Sequence, residues 1–381
     1  MKFRALLLQQ MALWAWTAAA TTLLAAGAPE RLTLSTFLWF LLGHAAGYVQ
    51  CLFGHPYRRL GWLFWGWSGL AILTFLAAYS QLTNAWIFAF GAFHGFVDVP
   101  LSFVFEESPI REWPQFFRRL FAAKALAAAG GWGLTVLLLS SGTGLAAPGL
   151  WIAGAFAAFM AVYCLWTLFR ATLELFAACT LAPAYRIKPR GPGFSYFPLY
   201  GPVIVIANHA AYLDPCWLGK LIPRRIIPLM TSIFYDLPFL HWLMKRVIHA
   251  VRVQDSSYRY DAPELTEAIS RLDEGECLVI FPEGTLMRDE DKPLRRFGQG
   301  IWHILRERPL TPVVTCWIEG NWGSFFSYWR GPPMTHKFPD FWRRITIVIS
   351  EPLLVPPEIL SAHQPVRQYL MDAVGDLRKL L

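Results

Sequence analysis

The sequence predicts an N-terminal all-α membrane domain followed by an α/β domain, and three features of its 381 residues indicate this division. The chain is 55% hydrophobic and 16% charged, which is too apolar for an average soluble protein. Positions 1–169 hold 14 of the 60 charged residues, whereas positions 170–381 hold 46. Short β-branched runs recur in the second part. We therefore expect a transmembrane domain at 1–175 and a globular domain at 176–381.

Charge-free apolar runs mark six transmembrane helices in the first part. A helix needs about 20 apolar residues to cross a bilayer. Two of the runs are too long for one helix, and each contains a polar break, at 80–84 and at 140–144. The predicted helices span 5–28, 33–54, 60–79, 84–105, 120–139 and 149–169.

The basic residues predict how these helices are oriented. Loops rich in Lys and Arg alternate with loops that almost lack them, and Arg31 is the only basic residue in the three poorer loops. Because cytosolic loops carry the excess of positive charge, both ends of the domain should face the cytosol, together with the globular part. The first helix has an alternative interpretation as a signal peptide, since Lys2 and Arg4 precede an apolar run that ends in small residues.

Asp98 is an ionisable residue inside the predicted fourth helix. A charge within a membrane span is costly, so a functional role is one interpretation. The other is that Asp98 lies near the cytosolic headgroups and pairs with an arginine. The sequence does not decide between the two.

The net charge and the cysteines limit the expected partners. A charge of +8 suits attraction to anionic lipid headgroups and acidic substrates. We find no basic stripe or nucleic-acid motif, so nucleic acid is not an expected partner. The six cysteines lack paired metal-ligand spacing, and the sequence predicts neither a zinc site nor a disulfide framework.

The globular part alternates strand-like and helix-like patterns, which predicts an α/β sheet domain. The strand-like runs are 203–207, 225–230, 247–253, 277–281, 313–318 and 345–350, and helical patterns include 262–272 and 299–307.

Polar side chains follow the first of these strands. Asn208 and His209 come directly after the buried run Val203–Ala207, and Asp214 follows His209 after four intervening residues. If a helix follows the strand, the carboxylate of Asp214 can fix the tautomer of His209, which would then act as a general base toward an alcohol. Asn208 would brace the turn. Taken alone, this spacing fits a structural histidine better.

A second polar group follows the strand near 277–281. Glu283 and Gly284 lie at a turn whose backbone N–H groups can face an anion. Thr285 adds a hydroxyl group and Arg288 a guanidinium group suited to phosphate. An ordinary turn is the simpler explanation for Pro-Glu-Gly by itself, but two such strand ends could form one site.

Together these segments resemble the glycerolipid acyltransferase family, which includes the lysophosphatidic acid acyltransferases. The Asn208–Asp214 run is similar to the first motif of that family and Phe281-Pro-Glu-Gly-Thr285 to the third. Arg252 lies where the phosphate-binding arginine of the second motif is expected, although the local match is poor. Ala211 departs from the Ser or Thr of many members.

The resemblance implies an α/β domain with a central mixed sheet and a specific reaction. His209 would deprotonate the free hydroxyl of a lysophospholipid, of the 1-acylglycerol-3-phosphate or lysophosphatidylethanolamine type, for attack on acyl-CoA or acyl carrier protein. Asp214 would orient His209. Asn208, Arg252, Glu283, Gly284, Thr285 and Arg288 would bind the acceptor. It implies no cofactor besides the acyl donor and no metal.

A narrower resemblance is to bacterial proteins that fuse a major-facilitator transporter to this acyltransferase. It is carried by the run Glu319-Gly-Asn-Trp-Gly-Ser-Phe-Phe-Ser327. In the membrane part, Gly91–Leu101 is similar to a stretch in the later helices of lysophospholipid transporters. The narrower resemblance implies half of a transporter at 1–175 and a location in the bacterial inner membrane with the catalytic domain in the cytosol. The main alternative is a lysophospholipid transporter or flippase with an accessory acyltransferase domain. A catalytically inactive scaffold and a different lipid acceptor are further alternatives.

Overall fold

The computed structural model describes residues 3–27, 33–52, 60–77, 83–98, 113–140, 146–254, 262–335 and 337–381. Its contacts divide the chain into two compact units, the N-terminal unit Met1–Phe176 and the C-terminal unit Ala177–Leu381. The interpretation of the first unit as half of a transporter, and of the second as a cytosolic enzyme domain, stays a prediction.

The described part of the N-terminal unit is helical. Pro114 and Pro148 lie in the first turns of their helices, where a missing N–H costs little. The helices are α1 Phe3–Gly27, α2 Leu34–Leu52, α3 Trp62–Ala77, α4 Asn84–Asp98, α5 Trp113–Ser140 and α6 Ala146–Thr167, and α7 Phe169–Ala184 leads into the C-terminal unit. Helices α1 to α6 overlap the six predicted ones, although α5 begins seven residues earlier than predicted, and α7 was not predicted. Residues 28, 53–54, 78–79 and 99–105 of the predicted helices lie outside the described residues.

Two segments of the described helices are long and apolar enough to cross a membrane, Arg118–Leu137 and Pro148–Thr167. Trp62–Ala77 is a shorter apolar helix. Six membrane spans therefore remain a proposal.

Paired glycines allow α2 and α4 to pack closely. Gly43 and Gly47 on α2 face Gly91 and Gly95 on α4, and a Cβ atom at any of the four would overlap the backbone of the facing helix. Small residues four apart are typical of closely packed membrane helices.

Asp98, at the end of α4, is buried and paired. The Nζ atom of Lys124 lies 2.8 Å from its Oδ1 atom, and the Nε2 atom of His44 lies 3.7 Å from its Oδ2 atom. The partner is thus a lysine on α5 and not an arginine. His44 continues the network to His94, with 3.1 Å between their Nδ1 atoms.

The C-terminal unit is built around a mixed sheet, as predicted, and its described strands are seven in number. Their spatial order is β1-β7-β6-β2-β5-β3-β4, and all neighbours are parallel except β6 and β7. The strands are β1 Arg186–Arg190, β2 Val203–Ala207, β3 Ile226–Thr231, β4 Val251–Val253, β5 Cys277–Ile280, β6 Val313–Glu319 and β7 Arg344–Ile349.

Helices cover both faces of the sheet, which explains why β2 and β5 are wholly apolar. Alternate residues of β2, such as Ile204 and Val205, belong to two different apolar clusters. The first cluster includes residues of α12 Pro263–Asp273, α13 Gly300–Glu307 and α14 His363–Asp376, and the second includes residues of α9 Asp214–Leu221. The short helices of this unit are α8 Gly193–Tyr196, α10 Ser232–Tyr235 and α11 Pro238–Trp242.

Two predictions about the strands were wrong. The predicted strand 247–253 is a π-helix over Leu243–Ile248, a left-handed residue at His249 (φ 58°) and only then β4. The β-branched residues Val247 and Ile248 suggested an earlier start. The edge strand β1 was missed because its basic residues and Pro189 lack an apolar pattern, a composition that edge strands tolerate.

Candidate active site

Three neighbouring strands bring the polar residues of the C-terminal unit together. β2 lies between β5 and β6 and is parallel to both. The carboxyl ends of parallel strands meet at one edge of a sheet, where loops with site residues collect. His209 follows β2, Glu283 follows β5 and Asn321 follows β6. The sheet therefore determines which polar residues become neighbours.

His209 and Asp214 form a hydrogen-bonded pair. The Nδ1 atom of His209 lies 3.0 Å from the Oδ2 atom of Asp214, because α9 begins at Asp214 and turns the carboxylate back toward the strand end. The same oxygen accepts hydrogen bonds from the backbone N–H groups of Ala210 at 2.7 Å and Ala211 at 2.9 Å. Asp214 is fully buried. Because this oxygen accepts from both N–H groups, it also accepts in its bond with His209. The Nδ1 atom of His209 therefore carries the proton of that hydrogen bond.

The second nitrogen of the His209 ring, Nε2, can accept a proton from a substrate. With the proton on Nδ1, the Nε2 atom of the neutral ring has a free lone pair. No hydrogen bond to this atom occurs within the described residues, and 18% of the His209 side chain is exposed. The Phe281 ring stacks on the imidazole, with 4.1 Å between ring centroids and 22° between their planes. The stack and the Asp214 bond together hold the ring in one orientation.

Asn321 is a site residue that sequence reasoning did not single out. Its Nδ2 atom donates a hydrogen bond to the Oδ1 atom of Asp214, the oxygen that His209 does not use. Asn321 comes two residues after β6, so the signal was a third polar strand end beside the two that were recognised. Asn208 has a different role, since its side chain accepts from the N–H of Ile318 and donates to its carbonyl, joining β2 to β6.

Glu283 ties the two predicted strand ends together. Its Oε1 atom accepts the backbone N–H of His209 at 2.8 Å, and its Oε2 atom accepts the backbone N–H of Arg295 at 2.8 Å. Burial raises the pKa of Glu283 to about 7, although these N–H donors and the positive charge of Arg295 oppose the rise. The carboxylate is therefore a bridge between loops, and it does not face outward as a ligand.

Gly284 and Thr285 of the Pro-Glu-Gly-Thr turn are exposed. Gly284 has a left-handed backbone (φ 70°), but its N–H donates to the carbonyl of Phe281 and so serves the turn. Thr285 accepts a hydrogen bond from the guanidinium group of Arg295, a second basic residue that the sequence did not point to. The guanidinium carbon of Arg288 lies 4.5 Å from the ring centroid of Tyr328. Two guanidinium groups thus flank this turn.

Arg252 lies elsewhere on the sheet. It is on β4, three strands from β2, which at about 4.8 Å per strand corresponds to roughly 14 Å. Its guanidinium group donates to both carboxylate oxygens of Asp236, and no described contact joins it to His209 or Glu283. The proposed phosphate-binding role of Arg252 stays a prediction.

The arrangement suits proton transfer from an alcohol. A histidine with a carboxylate partner and a free Nε2 atom can act as a general base, and the carboxylate stabilises the imidazolium ion that results. Among the described residues, no group of three or more His, Cys, Asp or Glu side chains is placed to hold a metal ion.

Residues 190–319, which include this site up to the end of β6, match the protein family described as Acyltransferase. The chain is 29% identical over 123 residues to 1-acyl-sn-glycerol-3-phosphate acyltransferase of Saccharomyces cerevisiae, covering 30% of this chain and 38% of that protein. It is 25% identical over 178 residues to N-acylphosphatidylethanolamine synthase of Arabidopsis thaliana, covering 44% of this chain and 58% of that protein. It is 30% identical over 129 residues to Taffazin of Dictyostelium discoideum, covering 30% and 43%.

Each of these matches spans less than two thirds of the relative. Among solved structures, the 1-acyl-sn-glycerophosphate (LPA) acyltransferase PlsC from Thermotoga maritima superposes with a TM-score of 0.43 at 18% identity, covering 56% of this chain and 82% of that one.

Proposed function

We propose, from the acyltransferase-family segment at residues 190–319, that this protein transfers an acyl group to the free hydroxyl of a lysophospholipid. The observation that carries the proposal is the His209–Asp214 pair, whose imidazole is held by a buried carboxylate and keeps an accessible Nε2 atom. The segment also matches a relative whose name specifies 1-acyl-sn-glycerol-3-phosphate as acceptor. The acyl donor is a thioester, either acyl-CoA or acyl carrier protein.

The proposed reaction balances with the groups at the site. The Nε2 atom of His209 removes the proton from the acceptor hydroxyl, and the oxygen attacks the thioester carbonyl. Collapse of the tetrahedral intermediate forms the new ester bond and breaks the thioester bond. The leaving thiolate takes the proton back from the imidazolium ion. Asp214 stabilises that ion, so the proposed reaction needs no covalent acyl-enzyme and no metal.

The acceptor site in this proposal lies on the exposed side of the Pro-Glu-Gly-Thr turn. Thr285, Arg288 and Arg295 would bind the phosphate of the acceptor, since guanidinium groups form strong charge-assisted hydrogen bonds with phosphate. Glu283 would act indirectly, by keeping the turn against His209. Asn208 would act in the same way, by holding β2 to β6.

The N-terminal unit in this proposal anchors the enzyme in the bacterial inner membrane through six helices, with the C-terminal unit in the cytosol. The two segments that are long and apolar enough to span a bilayer support a membrane anchor. The net charge of +8 suits an anionic lipid surface. Transport of lysophospholipid by the helical unit is a second hypothesis, motivated by the resemblance of Gly91–Leu101 to transporter helices.

The test is an acyl-transfer assay with the purified full chain. A panel of lysophospholipids is offered with labelled acyl-CoA or labelled acyl carrier protein, and His209→Ala is measured beside wild type. His363→Ala is the matched control, because His363 begins α14 outside the site. We expect product with wild type and His363→Ala but not with His209→Ala. Equal activity of all three proteins would overturn the proposal.

A further inference from the structure

Several residues of the segment 320–343, which joins β6 to β7, contact the site. Asn321 donates to Asp214, Ser327 forms an isolated β-bridge with Ala211, and the carbonyl of Phe326 accepts the N–H of Tyr212 at 3.2 Å. This segment, here called the site loop, therefore contacts the His209–Asp214 turn in its middle and at Asp214.

Hydrogen bonds tie the described residues of the site loop together, although these residues contain little regular structure. The N–H of Phe325 donates to Asp340 at 3.1 Å, and Arg343 donates to the carbonyls of Gly320 at 2.9 Å and Trp322 at 3.0 Å. These bonds close the loop on itself. Trp342 has a left-handed backbone (φ 69°), which is strained for a bulky residue and persists only where its surroundings hold it.

The site loop also exposes large apolar side chains. The exposed fraction is 93% for Phe338, 65% for Trp342, 60% for Phe341 and 56% for Met334. These four residues, here called the outer patch, lie within nine positions of sequence. Exposed apolar side chains that cluster in this way mark surfaces that bind another molecule or a membrane.

The charges beside the outer patch are mainly positive. Arg330 is exposed and stacks on the ring of Trp329 at 4.2 Å, and the partly exposed Lys337 donates to the carbonyls of Ser327 and Gly331. Arg343 offsets Asp340. Aromatic side chains flanked by arginine and lysine are typical of segments that sit between the headgroups and the acyl chains of a bilayer, where the cations meet anionic headgroups.

We propose that the outer patch inserts into the surface of an anionic lipid bilayer. Since the same loop donates to Asp214, insertion places the His209–Asp214 pair at the lipid surface, where a membrane-dissolved acceptor reaches it without leaving the bilayer. This role in presenting the acceptor rests on the proposed function, whereas the insertion itself does not. The bilayer is thus the proposed binding partner of the outer patch. The test below distinguishes it from two alternatives, another part of this chain and a second copy of the chain.

Photo-crosslinking tests the insertion directly. Full-length protein with p-benzoylphenylalanine at position 338 is placed in nanodiscs of phosphatidylglycerol and phosphatidylethanolamine and irradiated. The control carries the same group at Leu310, which is 82% exposed but precedes β6 and so lies at the opposite end of that strand from Asn321. We expect lipid adducts several-fold more abundant at position 338 than at 310. Equal yields, or adducts at 338 to protein peptides only, would overturn the insertion.

Kinetics test the consequence for the acceptor. In the variant Phe338→Ser/Phe341→Ser, we expect the KM for acceptor presented in vesicles to rise roughly tenfold, the loss of about 1.4 kcal/mol of binding. The KM for a short-chain, water-soluble acceptor and the kcat should stay as in wild type, and Leu310→Ser should match wild type in both assays. An unchanged vesicle KM contradicts the role in presentation.

The two proposals fail separately. Lipid adducts at position 338 in a protein without acyl-transfer activity would leave the insertion standing and refute the proposed function. Full activity with no adducts would do the reverse.

Discussion

Each unit of the chain contains a buried aspartate with a histidine beside it, and the two aspartates have different hydrogen-bond partners. Asp98 in the N-terminal unit pairs with the ammonium group of Lys124 at 2.8 Å, and His44 lies 3.7 Å away. Asp214 in the C-terminal unit is held by His209, by two backbone N–H groups and by the amide of Asn321. Within the described residues, Asp98 is therefore paired with a cation, whereas Asp214 is held by neutral hydrogen-bond donors.

This difference separates a structural network from a reactive one. A carboxylate whose charge is balanced by lysine has little left to stabilise an imidazolium ion, whereas one held by neutral donors retains its charge. The two histidines also differ at the ring nitrogen that faces away from the aspartate. His44 contacts His94, which is 2% exposed and reaches Thr17 at 3.0 Å, while the Nε2 atom of His209 has no described partner. We therefore expect chemistry at Asp214 and stability at Asp98.

The largest expected effect is on catalysis at His209. His209→Ala should lower kcat/KM about 10²–10⁴-fold, the usual contribution of a general base, without loss of folded protein. His44→Ala is the matched control from the other network and should leave acyl transfer near the wild-type rate. The measurement is the initial rate of lipid product at equal amounts of protein. A comparable loss in both variants would erase the distinction between the networks.

Removal of Lys124 tests the structural network. Lys124→Met should lower the free energy of unfolding by about 3–5 kcal/mol, because Asp98 is left buried without its cation. The double variant Asp98→Leu/Lys124→Met should recover most of this loss. Chemical denaturation in mixed micelles measures both. A single variant as stable as wild type would mean that Asp98 is hydrated and not buried.

Glu283 provides a test by pH. Its folded pKa of about 7 lies above the value of an unfolded glutamate, so the stability that it contributes is fully present at low pH and is lost as the pH rises through 7. Relative to Glu283→Gln, the wild-type free energy of unfolding should fall by up to about 3 kcal/mol between pH 4.5 and pH 7 and then level off.

The control for this experiment is Glu290→Gln, since Glu290 is exposed on the loop that follows the turn. Its stability difference from wild type should not change over the same pH range. A flat difference for Glu283→Gln would show that the N–H groups of His209 and Arg295 cancel the cost of burial.

The sequence predicted those features that short runs of residues determine. The wholly apolar run Val203–Ala207 indicated a central strand, and the spacing of His209 and Asp214 required only that a helix begin there, as α9 does. The helices of the N-terminal unit followed from charge-free runs in the same way. Local patterns were sufficient because burial on both faces of a strand or around a helix removes polar residues.

Features that depend on distant partners could not be predicted. Asn321 lies 107 residues from Asp214, and only the order of β2 and β6 in the sheet makes them neighbours. The edge strand β1 carries basic residues, and the π-helix at Leu243–Ile248 has residues that suit a strand. The partner of Asp98 was likewise set by the tertiary arrangement that brings Lys124 of α5 to it, and not by the sequence around Asp98.

The smallest expected effect concerns Asn321 as a positioning residue. Asn321→Leu removes the donor to the Oδ1 atom of the buried Asp214, and a hydrogen bond to a charged group contributes about 1.5–3 kcal/mol. Part of this loss should reach the transition state, so we expect kcat to fall roughly tenfold with little change in KM. Ser324→Ala in the same loop is the matched control, since Ser324 is equally buried and does not contact Asp214. Loss of activity in Ser324→Ala as large as in Asn321→Leu would assign the effect to the loop as a whole and not to the carboxylate that Asn321 holds.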